Sequence, residues 1–170
     1  MKRYIILLLS LVLVASLCAC RSGQPNAGGE NFVQMVNPIQ NVDGPAEFVN
    51  SMGISLEAPE GAENCGYCII SGQIAQIQFA YAGNEYTLRA SKTEEDNSGM
   101  YGPFEEIGAN ILIDHPDGSC SVKIRYTIEG GAVADWTWED CYYSLSAVQI
   151  ADQESFEQFA SQTILDQLNK

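Results

Sequence analysis

Two hydrophobic periods alternate along the chain, one of about 3.6 residues and one of two. Near residue 43 the first appears: Asp43-Gly44-Pro45 reads as a helix start with Asp43 as N-cap and Pro45 in the first turn. Phe48, Val49 and Met52 then share one helical face, and Gly53 supplies the stop. A short strand around Ile54 and Leu56 should follow, ending at Pro59. Ile77, Phe79 and Tyr81 alternate with Gln76, Gln78 and Ala80; after Ala82-Gly83-Asn84 the alternation resumes at Tyr86 and Leu88. That is a hairpin. The stretch 91–108 is polar and glycine-containing, and reads as a long surface connection, with a strand over 111–113 after it.

The C-terminal half fixes its faces more tightly. Val122, Ile124, Tyr126 and Ile128 alternate with Lys123, Arg125 and Thr127. A three-residue loop Glu129-Gly130-Gly131 places Tyr126 opposite Ala134, Ile124 opposite Trp136 and Val122 opposite Trp138. A two-residue loop Glu139-Asp140 then sets Trp138 beside Cys141, Trp136 beside Tyr143 and Ala134 beside Leu145. One face of this meander is apolar throughout, and a one-residue slip of either loop destroys that agreement. The chain closes with Phe156, Phe159, Ala160, Thr163, Ile164 and Leu168 on one face of a helix capped by Asp152. The expected class is α+β: an antiparallel sheet of about six to eight strands, covered on one face by an N-terminal and a C-terminal helix.

The first residues follow a different pattern. Lys2 and Arg3 precede an apolar run from Tyr4 to Ala15, too short to span a membrane comfortably, and then comes Leu17-Cys18-Ala19-Cys20. This segment resembles a bacterial lipoprotein signal, in which a cysteine follows a small residue and a leucine stands three places before it. Cys20 fits and Cys18 does not, because Leu17 would occupy the small-residue position. The resemblance implies a signal peptide over 1–19, a diacylglyceryl-modified Cys20, and a location on the extracytoplasmic face of the cell membrane. Residues 20–36, rich in Gly, Asn, Gln and Ser, read as the lipidated cysteine and a flexible tether, and residues 37–170 as a single domain.

Charge narrows the partners. Eight Lys and Arg stand against 22 Asp and Glu, a net charge of −14. Such a polyanion repels nucleic acid and anionic headgroups alike, so no nucleic-acid partner is expected and the lipid must supply the membrane attachment.

Asn37-Pro38, Ala58-Pro59, Ile74 to Phe79, Tyr86-Thr87-Leu88-Arg89-Ala90-Ser91 and Ser98-Gly99-Met100-Tyr101 form a recognisable series, completed by Trp138 and Tyr143-Ser144-Leu145-Ser146 before the final helix. The series resembles an uncharacterised lipoprotein domain of Firmicutes, domain-of-unknown-function family 4367. The resemblance implies a fold and a surface location; it carries no activity, cofactor or catalytic residue.

The chemistry-bearing residues sort as follows. Cys65-Gly66-Tyr67-Cys68 has the spacing of a redox motif, but that chemistry needs its first thiol at a helix N-terminus, and Ile69-Ile70-Ser71-Gly72 leads into a strand. Structural disulfides among Cys65, Cys68, Cys120 and Cys141 are the expected alternative. Cys65–Cys68 with Cys120–Cys141 is preferred, although a strand between the latter two leaves crossed pairing open. A tetrathiolate zinc site is disfavoured, since the second pair lacks close spacing. His115 lies in Asp114-His115-Pro116-Asp117-Gly118-Ser119, a turn without a nucleophile elbow, so a Ser-His-Asp triad is not expected. The stretch 94–99 lacks the ligand spacing of a calcium loop, and Glu105-Glu106 are neighbours whose side chains diverge. No catalytic residue, metal or cofactor is therefore expected. Trp136, Trp138, Tyr142 and Arg89 are the candidate binding residues. Exposed indoles would stack on a sugar, whereas the register assigns both tryptophans to the core face. The function expected is a non-enzymatic binding or sensing module of the envelope, with an envelope protein or small ligand as partner. The alternative is a glycan-binding protein or hydrolase.

Overall fold

The computed structural model describes residues 38–170; the expected signal peptide over 1–19, the expected lipidated Cys20 and the expected tether to residue 36 lie outside the described residues. Eight strands and two helices follow one another: β1 (Ile39–Val42), α1 (Pro45–Met52), β2 (Glu63–Ile70), β3 (Ile74–Tyr81), β4 (Asn84–Ser91), β5 (Ala109–His115), β6 (Gly118–Tyr126), β7 (Ala132–Trp138), β8 (Cys141–Ala147) and α2 (Gln153–Leu168). The strands form one sheet in the order β1-β2-β3-β4-β8-β7-β6-β5, every neighbouring pair antiparallel. The domain is α+β.

Alternation puts one apolar row after another on the inner face. One row runs Ile69, Ala75, Ala90, Tyr143, Trp136, Val122, Ile111, and the next Tyr67, Ile77, Leu88, Leu145, Ala134, Ile124, Ala109. Both helices contribute to the same core cluster through Phe48 and through Phe156, Ala160, Ile164 and Leu168. Phe48 and Phe156 are fully buried, each contributing on the order of 2–3 kcal/mol by removing its ring from water.

The helix ends follow local chemistry. α2 begins at Asp152, whose carboxylate accepts from the Ser155 amide at 2.8 Å, as its position in sequence predicts. α1 differs: its N-cap is Gly44, without a side-chain bond, while Pro45 opens the helix and Gly53 closes it at φ 65°. The strand expected at 54–56 does not form. Ile54 and Leu56 are buried, but the backbone of Glu57 bonds the Gln167 side-chain amide in both directions instead of a neighbouring strand. The side chain of α2 takes the place of a ladder.

The meander confirms the faces and corrects one register. Between β7 and β8 the pairs are as expected, Trp138 with Cys141, Trp136 with Tyr143 and Ala134 with Leu145. Between β6 and β7 the pairing is displaced by two: Tyr126 meets Ala132, Ile124 meets Ala134 and Val122 meets Trp136. The loop is five residues long, not three. Thr127 closes it, its amide donating to the Gly131 carbonyl at 2.8 Å and its Oγ1 accepting from the Gly131 amide at 2.7 Å. A Cβ on Gly131 would stand 2.7–3.0 Å from the Val148 and Ala147 carbonyls and Thr127 Oγ1, so only glycine closes this loop. A slip of two preserves every face, so alternation alone cannot detect it.

The connection 92–108 is the surface connection expected, and the strand order gives its course. β4 lies mid-sheet and β5 at its far edge, so this segment must cross β8, β7 and β6, and it does so on the outer face. Asn97 and Ser98 are buried there; the Asn97 amide donates to the Tyr142 carbonyl and its oxygen accepts from Ser144. Further along, Phe104 pairs with Thr127 and lies under the Arg125 guanidinium, 4.4 Å from its carbon. It is a surface connection, most of its residues exposed, strapped to the sheet at Asn97, Ser98 and Phe104.

Candidate functional site

A two-residue turn, Ala82-Gly83, joins β3 to β4 with both residues at positive φ, 48° and 81°. The tight return sets Tyr81 and Tyr86 on the inner face at the end of the hairpin. α2 crosses above them, and its Phe159 packs on both: ring centroids are 4.4 Å from Tyr81 with planes 20° apart, and 4.5 Å from Tyr86. Four residues further along the same helical face stands Thr163. Its side chain is completely buried, and Oγ1 has no hydrogen-bond partner. Leaving a buried hydroxyl unsatisfied costs about 1–3 kcal/mol.

These residues line one cleft of about 750 Å³ between α2 and the β3–β4 turn. Pro59 and Ala151 complete its apolar wall, while Gln158, Gln162, Glu60 and Asp166 supply its polar edge. Asp166 accepts from the Gln162 amide at 2.8 Å, which orients the carboxylate. Burial pushes the Tyr86 phenol above its ordinary value, so it stays neutral. An aromatic wall with a few polar groups at its edge is the usual chemistry of a small-molecule site. The sequence pattern placed Tyr81 and Tyr86 at alternating strand positions and Phe159 and Thr163 on one helical face, and nothing in it showed that this hairpin ends beside α2.

The residues singled out from sequence lie elsewhere. Trp136 is only 3% exposed and stacks on Tyr143 with planes 7° apart and centroids 5.3 Å apart. It cannot offer a sugar its face. Trp138 is half-buried with its ring edge-on to His115 at 5.5 Å. Arg89 lies on the outer face under the strap, Nε donating to Gln76 Oε1 at 2.7 Å and Nη1 to the Asn97 carbonyl at 2.9 Å. Burial lowers its affinity for the proton. Tyr142 is on that same face, its hydroxyl reaching Glu95 at 3.4 Å. The structure thus separates the tryptophans from Arg89 and Tyr142 by the thickness of the sheet.

The cysteines do not meet. All four described cysteines are free thiols, against the expectation of paired staples. Cys65 and Cys68 are three apart on β2, so their side chains fall on opposite faces: Cys65 packs against the core, and Cys68 accepts from the Gln76 amide on the outer face. Cys120 and Cys141 share the inner face with β7 between them. Burial raises the thiol pKa of Cys68, Cys120 and Cys141. Among the described residues no three His, Cys, Asp or Glu side chains gather as metal ligands.

His115 Nδ1 lies 3.5 Å from the Asp117 carboxylate, but Ser119 bonds Asp114 rather than His115, so the three are not brought into one relay. Ser119 donates to Asp114 at 3.0 Å, while His115 Nδ1 accepts from the Asp117 amide and Nε2 faces Asn169. Glu105 and Glu106 are exposed on the strap, Glu105 accepting from Gln153. Comparison of the chain with protein-family models, characterised proteins and solved structures finds no match, so the resemblance to family 4367 rests on the motifs quoted above.

Proposed function

We propose that this chain is a lipoprotein of the family it resembles, held through Cys20 on the extracytoplasmic face of the cell membrane. Its domain is a non-enzymatic binding or sensing module, with the cleft beneath α2 as the ligand site. One observation carries the reading of the site: three aromatic side chains, Tyr81, Tyr86 and Phe159, line a single cleft of about 750 Å³ with Gln158, Gln162, Glu60 and Asp166 at its edge. The sheet with both helices on one face supplies the rigid frame, since the cleft walls come from α2, from the β3–β4 hairpin and from the segment at Pro59 and Glu60.

Two measurements test the two halves. Fatty-acid labelling should mark the parent chain and not Cys20→Ser; labelling that persists in the variant overturns the anchor at Cys20. For the site, the purified full chain is equilibrated with a small-molecule extract of the envelope, and bound molecules are identified by mass spectrometry. Gln158→Trp adds bulk to the cleft lining from an exposed position on α2, and should retain none of them. Equal recovery from parent and variant overturns the site. Conversion of a bound molecule into product overturns the non-enzymatic reading.

A further inference from the structure

We infer that the outer face of the sheet carries a second binding site, independent of the cleft beneath α2, for an uncharged saccharide. Alternation sends Gln78, Thr87 and Ser146 to that face, and the ladders set them side by side across β3, β4 and β8. Neighbouring strands lie about 4.8 Å apart, so the three side chains form a row roughly 10 Å long. They line a cavity of about 530 Å³ together with Glu85, Val148 and Gln149. The row beside it, Gln76, Arg89 and Ser144, is satisfied: Arg89 donates to Gln76, and Asn97 of the strap bonds both Arg89 and Ser144. Gln78, Thr87 and Ser146 have no such cover, and among the described residues none of their side chains has a hydrogen-bond partner. Ser146 is the telling member. It is only 5% exposed, yet its hydroxyl stands on the cavity wall and is not one of the sealed, unpartnered atoms, which are Trp136 Nε1 and Thr163 Oγ1. It has given up most of its water without gaining a protein bond, a loss that a ligand hydroxyl would offset.

The lining selects the ligand class. Among its described residues Glu85 alone is charged, so an anion finds no cation there. The remaining polar groups are amides and hydroxyls that both donate and accept. Sugar hydroxyls do the same, and a neighbouring pair of them can donate together to one carboxylate. An extended peptide fits less well. It would pair with a free strand edge, whereas β3, β4 and β8 all lie inside the sheet. The adjoining hollow extends the same chemistry: about 280 Å³ in volume, it shares Val148 and Gln149 with the cavity and brings in Tyr101. Tyr101 is 91% exposed, a free aromatic face of the kind on which a sugar ring stacks.

The test is saturation-transfer NMR on the full chain in a polyoxyethylene detergent, which contains no sugar. The probes are glucose, galactose, N-acetylglucosamine, maltose and cellobiose, with glucuronate as an anionic sugar and acetyl-trialanine amide as an uncharged peptide. At least one neutral saccharide should bind, and glucuronate and the peptide should not. Ser146→Ala and Thr87→Val each remove one hydroxyl and should weaken that saccharide by up to about tenfold. Both variants should melt close to the parent, since neither hydroxyl holds a protein bond. Thr137→Val, on the outer face away from the cavity, should bind as the parent does, and so should Gln158→Trp, which fills the cleft beneath α2. Binding of no saccharide, equal binding of glucuronate or the peptide, or affinities unchanged in both hydroxyl variants would overturn this site and leave the α2 cleft untouched. Saccharide binding abolished by Gln158→Trp would place the sugar beneath α2 and overturn it as well.

Discussion

Thr163→Val should make the domain more stable. The side chain is fully buried in α2 beside Phe159, Ala160 and Ile164, and its hydroxyl has no partner. Valine keeps the shape, replaces the hydroxyl with a methyl group and has nearly the same helix propensity. The stability gained is the cost of an unsatisfied buried hydroxyl, about 1–2 kcal/mol. For a domain of this size that is a rise in Tm of roughly 3–8 °C. Thr163→Ala is the control: it also removes the hydroxyl but leaves space unfilled, and should fall below Val. Urea unfolding followed by circular dichroism, with thermal melts alongside, ranks the three. A Val variant less stable than the parent refutes the reasoning, because it would mean the hydroxyl is already bonded in the free protein.

Three further outcomes follow from the same geometry. Trp136→Ala should cost about 3–5 kcal/mol by opening a cavity against Tyr143, whereas exposed Thr137→Ala should cost less than about 1 kcal/mol; denaturant midpoints of the pair check the face assignment. The Ser155 amide and hydroxyl hold the Asp152 carboxyl below its ordinary value, so its contribution is full above the unfolded value and lost as pH falls through the folded one. Asp152→Ala should therefore melt below the parent at neutral pH, the gap closing on acidification, while Asp152→Asn retains more of the cap. Alkylation of the native, unreduced chain should mark half-buried Cys65 first and reach Cys68, Cys120 and Cys141 only on unfolding; peptides joined by a disulfide would contradict the four free thiols.

The parts legible from sequence are those where one local rule acts alone. The closing helix and its cap, the two-residue turn Glu139-Asp140 and the apolar face of the meander all follow from periodicity and turn chemistry; the first hairpin, read around Gly83-Asn84, turns instead at Ala82-Gly83. The β6–β7 register was not legible, because a slip of two leaves Ile124 and Trp136 on the same face and Thr127 decides the loop through its own hydroxyl. The strap was not legible either. Asn97 and Ser98 carry no periodic signal, and only the strand order, with β8 inserted beside β4, shows that 92–108 must cross β8, where Ser144 meets Asn97. The cleft follows the same logic. Phe159 and Thr163 obey the helical period of a core face, and their second role emerges only from where α2 crosses the end of the β3–β4 hairpin.

The most direct test of the central claim is an amide shift map of the isotope-labelled full chain in detergent, titrated with a small-molecule extract of its native envelope. The account requires the perturbed amides to cluster at 81–86 and 155–166, with Gln158→Trp abolishing them. Perturbations centred instead on Gln76, Arg89 and Ser144 would place the ligand on the strapped outer face and contradict it.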